Sequence, residues 1–105
     1  MQRLALGCVI VSLADRATEA LYHGEPTSPA RRIPAGIRSA AMRKLDMLEA
    51  AHALTDLRSP PGNRLEALRG DLAGLHSIRI NDQWRIVFRW TTAGPAEVRI
   101  LDYHS

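Results

Sequence analysis

Apolar residues recur along this chain with two different periods, and the change falls at the break LRSPPGNR, residues 57–64. Before the break, Val9 to Leu13 read as a buried strand. Asp15 follows as a cap for a short helix, Arg16 to His23, with Gly24 as its stop. The stretch EPTSPARRIPAG is a loop, interrupted by Pro26, Pro29 and Pro34. Next, IRSAAMRKLDMLEAAHAL carries Ile37, Ala41, Leu45, Leu48 and His52 at helical spacing, which predicts an amphipathic helix. Arg38, Arg43 and Lys44 fall on its solvated side.

Beyond the break the period is two. RLEALR, LHSIRI, WRIVFRW and AEVRILDY read as four strands joined by GDLAG, NDQ and TTAG. The predicted fold is therefore α+β: an N-terminal strand, two helices, then a C-terminal antiparallel β-meander packed on the helices.

Alternation also predicts a register. Trp84, Ile86, Phe88 and Trp90 share one face, which turns Arg85, Val87 and Arg89 to the other. A two-residue turn at Asn81-Asp82 would set Ile78 against Arg85 and mix the faces. A three-residue Asn81-Asp82-Gln83 loop instead sets Ile80 against Trp84 and Ile78 against Ile86. Burial of large apolar side chains, at about 1.5–3 kcal/mol each, selects the second arrangement. Its consequence is that Arg79 lies opposite Arg85, an unfavourable pairing of up to about 1 kcal/mol. A face bearing Arg79, Arg85 and Arg89 either binds an anion or is neutralised internally by Glu66, Glu97 or Asp102.

With 105 residues, 46% of them hydrophobic and 24% charged, the chain has material for one core and one domain. A net charge of +3 does not by itself establish a nucleic-acid partner. The choice of cation says more: Lys44 is the only lysine, and arginine grips phosphate with a planar fork of donors. Cys8 is alone, so no intrachain disulfide can form and a reducing compartment is expected. The apolar run from Leu4 to Ala14 is too short to span a bilayer, and it lacks a clear cleavage site or a lipoprotein pattern. A secreted or lipid-anchored protein is thus disfavoured, and a cytoplasmic protein without a membrane partner is expected. His23, His52 and His76 have no metal-ligand spacing, so no zinc site and no cofactor is expected.

The chain ends ILDYHS, which places Asp102, Tyr103 and His104 together. All three can hold or move protons; the plainer alternative is a solvated overhang beyond a finished strand.

NRLEALRGDLAGLHSIRINDQWRIVFRW, followed by VRILDYH, resembles the C-terminal half of the HigB-type toxins of the RelE-like superfamily. DLRSPPGNRLE and the SIR-x-NDQWR pattern resemble the growth-rate-affecting branch of that family. The likeness runs from about Val9 to His104, so residues 1–8 would be an N-terminal extension and 9–105 a single toxin domain. It implies a small microbial-RNase fold that cuts mRNA in the ribosomal A site without a metal. It also implies inactivation by a helix-turn-helix antitoxin of the HigA type. In that chemistry the ribose 2′-hydroxyl attacks the neighbouring phosphate, leaving a 2′,3′-cyclic phosphate and a 5′-hydroxyl. A base, cations for the phosphorane and an acid are required.

By the resemblance, Asp102, Tyr103 and His104 match the family's terminal triplet and Arg85 matches the arginine of its W-R-I strand. Arg69 stands where most members carry lysine, and Glu66 where many carry histidine. His104 is then the expected proton carrier, tuned by Asp102, with Arg85 and Arg69 on the phosphate and Tyr103 stacking or assisting. Glu66, Arg79, Asn81, Gln83 and Arg89 are expected to contact RNA. The competing expectation is a catalytically weak module of the same fold that serves mainly as antitoxin partner and co-regulator.

Overall fold

The computed structural model describes residues 10–24 and 33–102. Helix α1 (Arg16–Tyr22) starts where Asp15 Oδ1 accepts the backbone N–H of Thr18 at 2.8 Å. It ends with Gly24 in the left-handed region (φ 70°), which returns a backbone N–H to Leu21.

Helix α2 (Ala35–Ala50) begins two residues before the periodic pattern and stops short of His52. Asp56 explains the early stop. Its carboxylate accepts the backbone N–H groups of His52 (2.9 Å) and Ala53 (3.1 Å), which caps the 3₁₀ turn Leu54–Arg58 instead of prolonging the helix. His52, expected on the apolar face, is exposed, whereas Ala41, Leu45 and Leu48 are fully buried.

Four strands, β1 (Glu66–Ala67), β2 (His76–Arg79), β3 (Trp84–Thr91) and β4 (Gly94–Asp102), form an antiparallel meander in sequence order. β1 is shorter than its pattern: Arg64 is left-handed (φ 45°), and a 3₁₀ turn at Gly70–Leu72 follows closely. The β2–β3 register is the predicted one, with Ile78 opposite Ile86 and Arg79 opposite Arg85. Ile80 donates its N–H to the Trp84 carbonyl at 2.9 Å and closes the three-residue loop. Of the predicted N-terminal strand, Val9 lies outside the described residues. Leu13 bridges β4 at Val98 in parallel, supported by backbone bonds from Val11 to Pro95 (2.7 Å) and Ala14 to Val98 (2.7 Å).

The core lies between the helices and one sheet face. Ala17, Leu21, Leu45 and Leu48 pack with Ile78, Ile86, Phe88, Val98 and Ile100. Trp84 and Trp90 are partly buried against it, on the predicted side. Thr18 ties α1 to the sheet, its buried Oγ1 accepting the Ile100 N–H at 2.8 Å. Asn63, in the Pro-Gly break, is also buried; its Nδ2 donates to the Leu57 (3.2 Å) and Ser59 (3.4 Å) carbonyls while Oδ1 accepts from Lys44. No helix among the described residues is long and apolar enough to cross a membrane.

Candidate active site

Because core residues take alternate positions on β2 and β3, the intervening ones stand on the sheet's far face. That face carries Ser77 and Arg79 from β2, then Arg85, Val87 and Arg89 from β3. Glu66, opposite Ser77, adds a carboxylate from the edge strand.

Arg85 occupies the middle. Its guanidinium meets Glu66 Oε1 at 2.9 Å and donates to Ser77 Oγ at 3.3 Å. The arginine side chain is 15% exposed and the glutamate 52%, so the cation is held in the surface while the carboxylate reaches out of it. Ser77 is fully buried. It was absent from the residues expected to matter, although the alternation that turns Arg79 outward turns Ser77 the same way.

The other two arginines are neutralised in the same manner. Arg89 Nε lies 2.8 Å from Glu97 Oε2, and Arg79 pairs with Asp82. Of the two readings the sequence left open, internal neutralisation therefore describes the protein by itself. Glu66 and Glu97 serve as foreseen; Asp82, not Asp102, holds Arg79. Such partly exposed pairs are worth about 0–1 kcal/mol each, so an incoming phosphate can displace the carboxylates.

Glu97 sits at a β-bulge, where Val87 faces Arg99 but Arg89 faces Ala96. Its backbone is left-handed (φ 52°), and its N–H donates to Ser12 Oγ at 2.8 Å. The bulge turns the carboxylate toward Arg89.

Asp102 stands apart from Arg85. It lies opposite Trp84, while Leu101 is the residue opposite Arg85. Asp102 thus follows the alternation of Ile100, at the end of the sheet. There its Oδ2 accepts from Gln83 Nε2 at 3.1 Å. Of the three carboxylates expected to neutralise the arginine face, Asp102 is the one that forms no ion pair with Arg79, Arg85 or Arg89 among the described residues. A cleft of about 280 Å³ adjoins it, lined among others by Asp15, Trp84, Arg99 and Asp102. Tyr103 and His104 lie outside the described residues.

Asn81 has a structural task in the loop, since its Oδ1 accepts the N–H groups of Gln83 and Trp84, both at 2.8 Å. Arg69 precedes the Gly70–Leu72 turn and is exposed, with no ion pair among the described residues. Lys44 lies at the helix–sheet edge, and burial together with Arg43 and Arg79 lowers its pKa below 10.5.

The structure thus brings together Glu66, Ser77, Arg79 and Arg85, groups Asn81, Gln83 and Asp102 at the sheet end, and sets Arg89 beside Glu97. Chemically, the first group offers a fixed guanidinium adjacent to an accessible carboxylate.

Sequence comparison agrees on the kind of protein that carries this face. Residues 12–104 match the profile of the HigB-like toxins, described as "RelE-like toxin of type II toxin-antitoxin system HigB". Toxin HigB-1 of Vibrio cholerae serotype O1 is 47% identical over 90 residues, 86% of this chain and 92% of that protein. An uncharacterised protein of Haemophilus influenzae is 41% identical over 59 residues, 56% of this chain and 58% of its own length. These matches reach the family and not a branch within it.

Proposed function

The chain belongs to the HigB-like family, the RelE-like toxins of type II toxin–antitoxin systems, and from that premise we propose that it is a metal-independent endonuclease that cuts mRNA in the ribosomal A site. HigB and RelE-like toxins are in general endoribonucleases. What carries the finer reading is the far face of the sheet, where Arg85 is fixed between Glu66 and Ser77. A guanidinium so anchored is suited to a phosphate that gains charge as the 2′-hydroxyl attacks, because little of its freedom remains to be lost. Arg69 adds a second, exposed cation. His104 moves a proton and Tyr103 stacks on a base or assists. Asp102, joined to Gln83, positions the end of the last strand.

Ribosome dependence has a physical ground. A net charge of +3, with three arginines of this face already paired, gives weak attraction for free RNA. Bound at the A site, the ribosome would supply both the substrate and its orientation. The protein acts in the cytoplasm, and a helix-turn-helix antitoxin of the HigA type restrains it. Residues 1–8 are an extension to the domain.

The same three ion pairs favour a second reading, a catalytically weak module that serves chiefly as antitoxin partner and co-regulator. Expressing the chain alone and with its antitoxin, then mapping mRNA 5′ ends, separates the two. New 5′ ends within translated codons, suppressed by the antitoxin, support the nuclease; tight antitoxin binding without new ends supports the module.

A further inference from the structure

We propose that Arg89 is a positioning residue, which seats the turn between β1 and β2 so that Arg69 stands where the phosphate arrives, and which does not itself bind RNA. The inference rests on the endonuclease reading, in which Arg69 supplies the second cation. It gives Arg89 a task other than the RNA contact expected from the sequence.

The turn between β1 and β2 is bonded into one piece. Leu68 donates its N–H to the Leu75 carbonyl at 2.9 Å and closes it. Within it, the carbonyls of Arg69, Gly70 and Leu72 accept the N–H groups of Leu72 (3.2 Å), Ala73 (3.1 Å) and Leu75 (3.1 Å). Arg69 and Gly74 therefore belong to the same closed stretch of backbone, and a shift at one is carried to the other.

Gly74 is where Arg89 meets this turn. Its backbone is left-handed (φ 92°), and a Cβ placed on it would stand 3.3 Å from Arg89 Nη1. The guanidinium thus fills the side of Gly74 that any other residue would need for its side chain.

The opposite edge of the guanidinium is aimed by the bulge. Arg89 Nε lies 2.8 Å from Glu97 Oε2. Glu97 has a φ of 52°, a conformation that L residues other than glycine rarely adopt. Ser12 holds it there, accepting the Glu97 N–H on Oγ (2.8 Å) and the Val98 N–H on its carbonyl (3.0 Å). A strained glutamate kept at a bulge points to a task for its carboxylate. A planar fork can grip a carboxylate on one edge and lie against backbone on another. The contacts therefore run from Ser12 through Glu97 and Arg89 to Gly74 and the turn that Arg69 begins.

The two possible roles of Arg89 give Glu97 opposite effects. If Arg89 bound RNA directly, Glu97 would compete with the phosphate and its neutralisation would speed cleavage. If Arg89 seats the turn, Glu97 is its support and neutralisation slows cleavage.

The test is single-turnover cleavage of mRNA in programmed ribosomes by wild type, Arg89→Ala, Glu97→Gln, Arg69→Ala and the Arg69→Ala/Arg89→Ala double variant, with amide hydrogen exchange on each free protein. Misplacing a group by about 1 Å can cost about 10²-fold, so Arg89→Ala should lose about 10- to 10²-fold in maximal rate. The protein concentration giving half-maximal rate should stay the same. Glu97→Gln should lose rate in smaller measure. Arg89→Ala should cost nothing further once Arg69 is alanine, because no cation is left to place. In Arg89→Ala the Ala73 and Leu75 amides should exchange several-fold faster, while the Ile100 N–H, bonded to Thr18, keeps its protection. Additive losses in the double variant, a raised half-maximal concentration or faster cleavage by Glu97→Gln would return Arg89 to direct RNA contact and overturn the proposal. Unchanged exchange in the turn, or equal loss of protection at Ile100, would overturn it as well. A wild type that cuts nothing would overturn the endonuclease reading, and exchange in the turn would still decide whether Arg89 seats it.

Discussion

Replacing Arg85 by alanine should abolish toxicity while leaving the fold nearly as stable as before. Two stability terms oppose each other. The Arg85–Glu66 pair is lost, but its glutamate is half exposed, so the loss is at most about 1 kcal/mol. Arg79, directly opposite on β2, is relieved of a like charge, a gain of about 0.2–1 kcal/mol. Beyond these two, loss of the hydrogen bond to buried Ser77 costs about 0.5–1.5 kcal/mol, so the net change should stay within about 2 kcal/mol, a melting shift below roughly 16 °C for a domain of this size. Activity should respond far more. Removing one donor that stabilises transition-state charge slows such reactions about 10²–10³-fold. Growth arrest on induction, beside thermal melting of the purified variants, measures both effects. Because the arginine stem is mostly buried, Arg85→Lys is the informative companion: it keeps much of the stem and the charge but not the fork. It should melt near wild type and remain weakly toxic. Unchanged toxicity of Arg85→Ala, or a melting drop beyond that range, would refute the reasoning, the second by making Arg85 structural.

Thr18→Val keeps the shape of a buried residue but strips the acceptor from the Ile100 N–H, so it should cost about 1–3 kcal/mol in denaturant melts. An unchanged midpoint would mean that bond does not tie α1 to the sheet. Lys44 has a folded pKa lowered from 10.5, so between the two values the unfolded chain binds more protons. Wild-type stability relative to Lys44→Met should then rise as pH climbs from neutral toward 10.5; a flat difference would show that the shift is absent. Deleting His104 and Ser105 should disarm the protein without unfolding it, since Ile100 is the last buried residue among those described. Full toxicity of the shortened chain would return the tail to a solvated overhang.

The arginine face was legible in the sequence because strand alternation is strict and a slip of one residue would bury Arg85 in place of Ile86. Alternation assigns a face, however, and does not choose a partner. Glu66, Glu97 and Asp102 were equivalent candidates for the arginines until the bulge at Glu97 and the pairing of Asp102 with Gln83 were seen. Asp102 could have been separated from Arg85 by the same counting, since it lies two residues beyond Ile100 on one strand.

Elsewhere, side-chain bonds to backbone decided matters that periodicity cannot register. The carboxylate of Asp56 ends α2 before His52, although the apolar spacing continues. In the sequence Asn63 is one more polar residue in a Pro-Gly break. Its burial follows from carbonyls on the preceding turn that need donors, a demand that exists only once the loop has closed.

The proposed activity is that of a nuclease whose substrate is mRNA held by the ribosome. The most direct measurement incubates purified protein with one end-labelled mRNA, naked in one reaction and paired in the A site of a stalled ribosome in the other. The expected result is a single cut at the A-site codon with 2′,3′-cyclic phosphate and 5′-hydroxyl ends, and little cleavage of the naked strand. Equal cutting of naked RNA would contradict the ribosome requirement, and an intact message in both reactions would contradict the nuclease itself.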